Sequence, residues 1–246
     1  MKTMIQVPFQ GKTVSAYYVA SEGNDVRPAV ILIHEVWGLA DHIKSVAERL
    51  NGEGFTVLAP DLLSNTELEP LITPELVSDM MDSDKRATRQ VEMRAAMAPL
   101  SSPAFAEATV EKLQACYEFL HTKPGVGKIG VIGFCFGGTY SFALAAHEPE
   151  LAAAVPFYGH CHSSVDELAK VKCPILAFYG EQDHNLIDAL PELEANMKQA
   201  GVNFVDKIYK DTGHAFFNDQ NKATYNEVAA KDAWPRAISF LRSHLS

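Results

Sequence analysis

The chain has 246 residues, 47% of them hydrophobic and 21% charged, with a formal net charge of −10. That length suits one well-buried α/β domain, and the balance of apolar and charged residues excludes a disordered or fibrous protein. The acidic surplus without any Lys/Arg-rich run argues against a protein that tracks a nucleic-acid backbone, which needs clustered cations to neutralise phosphates.

From the start, residues 4–9 and 13–20 alternate apolar and polar side chains around Gln10, Gly11 and Lys12, which predicts an antiparallel hairpin. The same residues lack the continuous apolar core of a secretory signal. No stretch reaches the roughly 18 apolar residues of a membrane span. Cys116, Cys135, Cys161 and Cys173 are widely spaced with no CxxC pair, which favours a reducing compartment. The cytoplasm is the expected location.

Ala29–Ile33 (AVILI) reads as a strand covered on both faces. Helical spacing of Ile43, Val46, Ala47 and Leu50 follows, closed by Gly52 and Gly54, and then FTVLAPD as another buried strand. The alternation resumes with KIGVIG at 128–133, a helix from Cys135 to about His147, then AAAVPFYG, PILAFYG and NFVDKIY with helices between. Strands separated by helices predict a mostly parallel sheet with helices on both faces. Between Asp61 and Lys123 the rhythm breaks. A polar stretch with Pro70, Pro74, Pro99 and Pro103 predicts a loop and two or three helices, with a crossover helix over about 104–120 and a small cap within 61–100 at the sheet edge. There is no repeat or linker, so one domain over 1–246 is expected.

Gly133-Phe134-Cys135-Phe136-Gly137 lies between a buried strand and a small-residue helix, the setting of a nucleophile elbow. The two glycines would let strand and helix approach closely while Cys135 projects from a strained turn. The helix N-terminus favours thiolate over thiol. The Phe136 N–H would form half of an oxyanion hole, with Val36, in the loop after AVILI, as the second donor. An isolated GxCxG would more often hold an inert buried thiol. Here strand, helix and chain order favour a nucleophile: Asp183 follows PILAFYG and His214 follows NFVDKIY, both at strand C-terminal ends. His214 would serve as base and Asp183 would orient it, with Glu181 and Asp188 as alternative acids.

Other clusters carry less. His34-Glu35 lacks the second histidine of HExxH, and His160-Cys161-His162 cannot turn three adjacent side chains onto one ion, so a loop at the pocket rim is expected there. His121 and His147 read as helix C-terminal cations, and Met80, Met81, Met93 and Met97 as cap packing. No metal and no cofactor are implied.

The segments AVILIHEVWGL, LAPDLL, IGVIGFCFGG, YGEQD and DTGHAFFN together resemble the dienelactone hydrolases (carboxymethylenebutenolidases), along nearly the whole chain. The resemblance implies an α/β-hydrolase fold and places Glu35 as the carboxylate that switches the cysteine into its reactive state. It also makes Trp37, Arg86, Arg89 and Arg94 candidate substrate contacts. Where members acting on dienelactone carry an arginine four residues after the catalytic histidine, this chain has Asn218, which cannot offer a bidentate charged fork. The reading is a cysteine-dependent hydrolase of lactones or small esters acting through a thioester. A carboxylesterase of unrelated substrate is one alternative, and a non-catalytic thiol sensor or binding module is the other.

Overall fold

Eight strands hydrogen-bond into one sheet in the computed structural model, which describes residues 1–21, 25–64, 66 and 73–246. The strands are β1 (Lys2–Phe9), β2 (Lys12–Val19), β3 (Arg27–Ile33), β4 (Thr56–Pro60), β5 (Val126–Phe134), β6 (Ala153–Phe157), β7 (Ile175–Gly180) and β8 (Phe204–Tyr209). Their spatial order is β1-β2-β4-β3-β5-β6-β7-β8. β1 pairs antiparallel with β2, and β2 antiparallel with β4, while every later neighbour is parallel. This is the mostly parallel α/β sheet with an N-terminal hairpin that the alternation of strands and helices predicts.

The longer helices are α1 (Asp41–Gly52), α2 (Pro74–Met81), α3 (Ser83–Met97), α4 (Pro103–His121), α5 (Phe136–His147), the short α6 (Val165–Leu168), α7 (His184–Ala200) and α8 (Glu227–Leu245). β5 shows how they are sorted between the two faces. Successive strand residues point to opposite sides. A side chain at Gly130 would meet Leu241 and Leu245 of α8, whereas one at Gly133 would meet Gly137 and Ser141 of α5. α8 and α5 therefore cover opposite faces. α1 lies with α8, since the Arg49 guanidinium sits 4.2 Å over the Trp234 ring, and α4 lies with α5, since Gln114 donates to the His147 carbonyl at 3.0 Å. β3, β4 and β6 are buried along almost their whole lengths, as strands covered on both faces must be.

Helices α2 and α3 lie in the segment expected to form a small cap. Leu76, Met80, Met93 and Ala96 form a small apolar cluster against Val36 and Trp37, in the loop after β3 near the middle of the strand order. Residues 65 and 67–72 of the expected cap segment, and the side chains of Met81, Arg86 and Arg94, lie outside the described residues. Among the described residues, no helix is long and apolar enough to cross a membrane.

Candidate active site

Cys135 stands between β5 and α5 with φ 56° and ψ −110°, a left-handed conformation that L-residues rarely adopt. The helix begins one residue later than its sequence pattern suggests, at Phe136, because Cys135 is the turn itself. Close packing imposes the turn. A Cβ on Gly133 would stand 2.1 Å from the Gly137 carbonyl oxygen, and one on Gly137 would stand 2.2 Å from the Ile33 oxygen of β3. Strand, helix and neighbouring strand meet backbone to backbone, and the half-buried thiol projects from the junction. Neither Phe136 N–H nor Val36 N–H donates a hydrogen bond to a described residue.

Asp183 follows β7 and caps the start of α7, while His214 lies in the loop after β8. His214 Nδ1 is 2.5 Å from Asp183 Oδ2, which assigns the proton of that bond to the imidazole. Glu181 is engaged elsewhere, accepting from the Asp211 N–H at 3.0 Å, and Asp188 is exposed on α7. Of the three acids legible in this loop, only Asp183 bonds to the imidazole. Burial alone would make His214 harder to protonate. The facing Cys135 sulfur, followed by Asp183, outweighs it and raises the imidazole to about 10.

The loop bearing His214 is fastened on both sides. Asp219 accepts from His42 of α1 at 3.2 Å, Arg49 stacks over Phe217 and Trp234, and Asn226 Nδ2 donates to Thr212 Oγ1 at 2.9 Å. Across the site His34 is fully buried and ties two loops. Its Nε2 accepts the Leu62 N–H at 3.0 Å, which leaves the Nδ1 proton for the Glu35 carbonyl at 2.6 Å. A buried histidine with both nitrogens used in this way is a strut, in keeping with its failure to complete a zinc motif.

Glu35 is 2% exposed, and its Oε2 accepts from Asn218 Nδ2 at 2.6 Å. Oε1 has no hydrogen-bond partner among the described residues. Burial dominates and pushes this carboxyl up to about 7, although Asn218, His214 and Tyr158 each favour the ionised form. Tyr158, directly after β6, is buried beside it.

Residues 14–245 match the family model described as the dienelactone hydrolase family. The chain belongs to the dienelactone hydrolase family. A provisionally named carboxymethylenebutenolidase of Saccharolobus solfataricus is 33% identical, over 94% of this chain and 95% of its own. Protein usf of Aquifex pyrophilus is 30% identical over the full length of both. Among solved structures, a provisionally named dienelactone hydrolase from Klebsiella pneumoniae superposes with a TM-score of 0.78 at 25% identity, covering 98% of each chain. As a dienelactone hydrolase family member the protein is an enzyme of the carboxylic ester and lactone hydrolase class.

The candidate substrate contacts of this family member fall into different places. Trp37 is half-buried beneath α2 and α3. Arg89 is occupied within that helix pair, with Asp79 at 2.9 Å, Glu92 at 2.7 Å and Glu75 at 3.2 Å. Asn218 is buried and turned to Glu35 rather than to open space. The His160-Cys161-His162 stretch is a loop after β6 in which the two imidazoles stack 5.6 Å apart, with His160 facing Asp183 and His214. No group of metal-binding residues forms among the described residues. A groove of about 890 Å³ runs between α4 and α5 from Phe136 to His147, beside the elbow and lined by neither Cys135 nor His214.

Sequence reasoning did not single out Tyr158 or assign His34 its strut. The signal for Tyr158 was its place, since it ends a parallel strand at the same sheet edge as Cys135, Asp183 and His214.

Proposed function

We propose that the protein hydrolyses neutral lactones or small carboxylic esters with Cys135 as nucleophile, His214 as proton carrier and Asp183 as the group that orients it. This chemistry would sit on one α/β-hydrolase domain over residues 1–246, with a small cap within the 61–100 segment. The observation that carries it is the alignment of the elbow cysteine, the imidazole that faces it and the carboxylate 2.5 Å behind that imidazole.

In the resting site His214 holds a proton between Cys135 and Asp183. The Cys135 sulfur attacks the carbonyl carbon, forming a C–S bond, and the oxyanion is received by the N–H groups of Val36 and Phe136. As the C–O bond to the leaving group breaks, His214 gives its proton to the departing oxygen. A water then loses a proton to His214 and attacks the thioester, breaking the C–S bond, releasing the acid and leaving the protonated imidazole beside the sulfur once more. Thiolate is itself easily expelled from the tetrahedral intermediate, which suits activated enol lactones and aryl esters better than amides.

The preference for a neutral substrate rests on what the nearby polar groups already do. The Asn218 amide serves Glu35, and the Arg89 guanidinium serves three carboxylates. A carboxylate-bearing lactone would find neither of these two groups free to pair with it.

Hydrolysis of p-nitrophenyl acetate and of a neutral enol lactone, with Cys135→Ala alongside, tests the reading. Turnover that disappears in a folded Cys135→Ala variant, together with an acetyl adduct on the Cys135 peptide of the native enzyme, is the expected result. A variant that retains the native rate would overturn the nucleophile, and an inactive native protein would favour the thiol sensor or binding module.

A further inference from the structure

We infer that Tyr158 is a positioning residue of this site: its buried hydroxyl, set beside Glu35 and Cys135 without a hydrogen-bond partner among the described residues, donates to whichever of the two carries the negative charge. The inference rests on the reading of Cys135 as nucleophile.

The position is costly in two respects. Tyr158 has φ 36°, uncommon for a bulky residue, and it is 1% exposed with an unpaired hydroxyl. Strain and an orphaned buried polar atom in one residue mark sites where geometry serves function over stability. The backbone on either side of the ring is closely held. The Tyr158 N–H donates to the Phe178 carbonyl at 2.7 Å, and the next residue, Gly159, is so tight against α5 that a Cβ would stand 2.2 Å from the Gly138 carbonyl carbon. The ring itself packs 5.0 Å from the His214 imidazole and 5.3 Å from Phe216.

Four groups from four elements meet here: Glu35 after β3, Cys135 before α5, His214 after β8 and Tyr158 after β6. His160, on the same loop as Tyr158, faces His214 and Asp183 from the rim. Glu35 Oε1 is the matching orphan, a buried acceptor that lacks a donor. The phenol keeps its proton, because burial and then the charges of Glu35 and Cys135 hold its ionisation well above the ordinary range. It is therefore available as a donor wherever the other groups titrate. If Glu35 takes up or releases a proton as Cys135 becomes reactive, a hydroxyl beside both can rotate between them without moving the ring.

The test is Tyr158→Phe, which keeps the ring and its packing. Alkylation of Cys135 by iodoacetamide, followed on the Cys135 peptide across pH, reads formation of the reactive sulfur independently of turnover, and kcat/KM for p-nitrophenyl acetate reads catalysis. Loss of the donor destabilises the anion, so alkylation at pH 7 should fall about tenfold with the profile displaced to higher pH, and kcat/KM should fall about 10- to 100-fold. The thermal midpoint should stay at or above the native value, since the phenylalanine leaves no orphaned hydroxyl. In a Glu35→Gln background, where the sulfur is the only anion left for the hydroxyl to serve, the alkylation profile should move at least as far. A folded Tyr158→Phe protein with native alkylation and native kcat/KM would overturn the inference, as would a fall in kcat/KM with the alkylation profile unmoved. A displaced alkylation profile accompanied by full turnover in Cys135→Ala would instead sink the proposed function and leave the hydroxyl's role at Cys135 intact.

Discussion

The strand ends that carry Cys135, Tyr158 and Gly180 and the helix pair α2–α3 that lies over Trp37 are held by opposite means. At the strand ends backbone meets backbone. A Cβ at Gly133, Gly137, Gly138, Gly159 or Gly180 would approach a neighbouring main-chain atom within 2.4 Å. In α2–α3 four apolar residues make a small core, and the charges do the rest: Asp79 accepts from Lys85 at 3.0 Å and from Arg89 at 2.9 Å, and Arg89 reaches Glu75 and Glu92. Main-chain contact is rigid because it has no rotamers to rearrange, whereas ion pairs on long side chains yield to salt and to substitution. The difference teaches that the candidate site is set where main chain packs on main chain, while the helix pair over Trp37 is held by side chains.

The sharpest way to break the comparison is Gly137→Ala. With a backbone oxygen 2.2 Å from the new methyl, the variant should lose more than about 4 kcal/mol or fail to fold, read by urea denaturation. A native-like midpoint would show that the elbow has slack. Next comes Asp183→Asn. It keeps the shape but loses the charge that orients His214, so kcat/KM should fall about 10³-fold with little change in stability.

Glu35→Gln should move stability the other way. The fold favours the neutral acid, because the carboxyl is pushed up to about 7 from 4.5. Its contribution is therefore fully present below pH 4.5 and is lost as pH rises through about 7. That difference corresponds to on the order of 3 kcal/mol for a buried group. Melting curves of native and Glu35→Gln protein should coincide near pH 4.5 and separate above pH 7, with the variant the more stable by several degrees. A native protein equally stable at pH 5 and pH 8 would contradict the burial argument.

The smallest expected effect is that of Asp79→Ala. Hydrogen exchange should quicken in α2 and α3 by up to about tenfold while amides of β5 and α5 keep native protection, and 1 M salt should reproduce part of the change. Equal loosening of both regions would remove the contrast between them.

The two regions also differed in how far the sequence revealed them. The strand-end residues Cys135, Asp183 and His214 were legible because each follows a short apolar run with turn residues beside it, and in a parallel sheet such positions share one edge. What could not be read was who meets whom between distant loops. Asn218 stands where the resemblance puts an arginine, and nothing local in the sequence says that its amide meets Glu35, 183 residues earlier. Tyr158 looked like one more apolar ring at a strand end, and its unpaired hydroxyl became visible only against Glu35 and Cys135. Helices α2 and α3 were legible as helices from their proline and charge pattern. Their seat on Val36 and Trp37 was not, since local periodicity does not say which apolar surface a helix will find.

Arg49 between Phe217 and Trp234, and Asn226 on Thr212, give the loop after β8 a further property. Chains fold as they are made, from the N-terminal side. A nascent chain that had reached α7 could already place Cys135 and Asp183, but His214 would have neither its strand nor the helix α8 on which its loop rests. The candidate centre is thus completed only after β8 and α8 have emerged, and a chain that has reached only α7 carries the Cys135 thiol without the imidazole beside it.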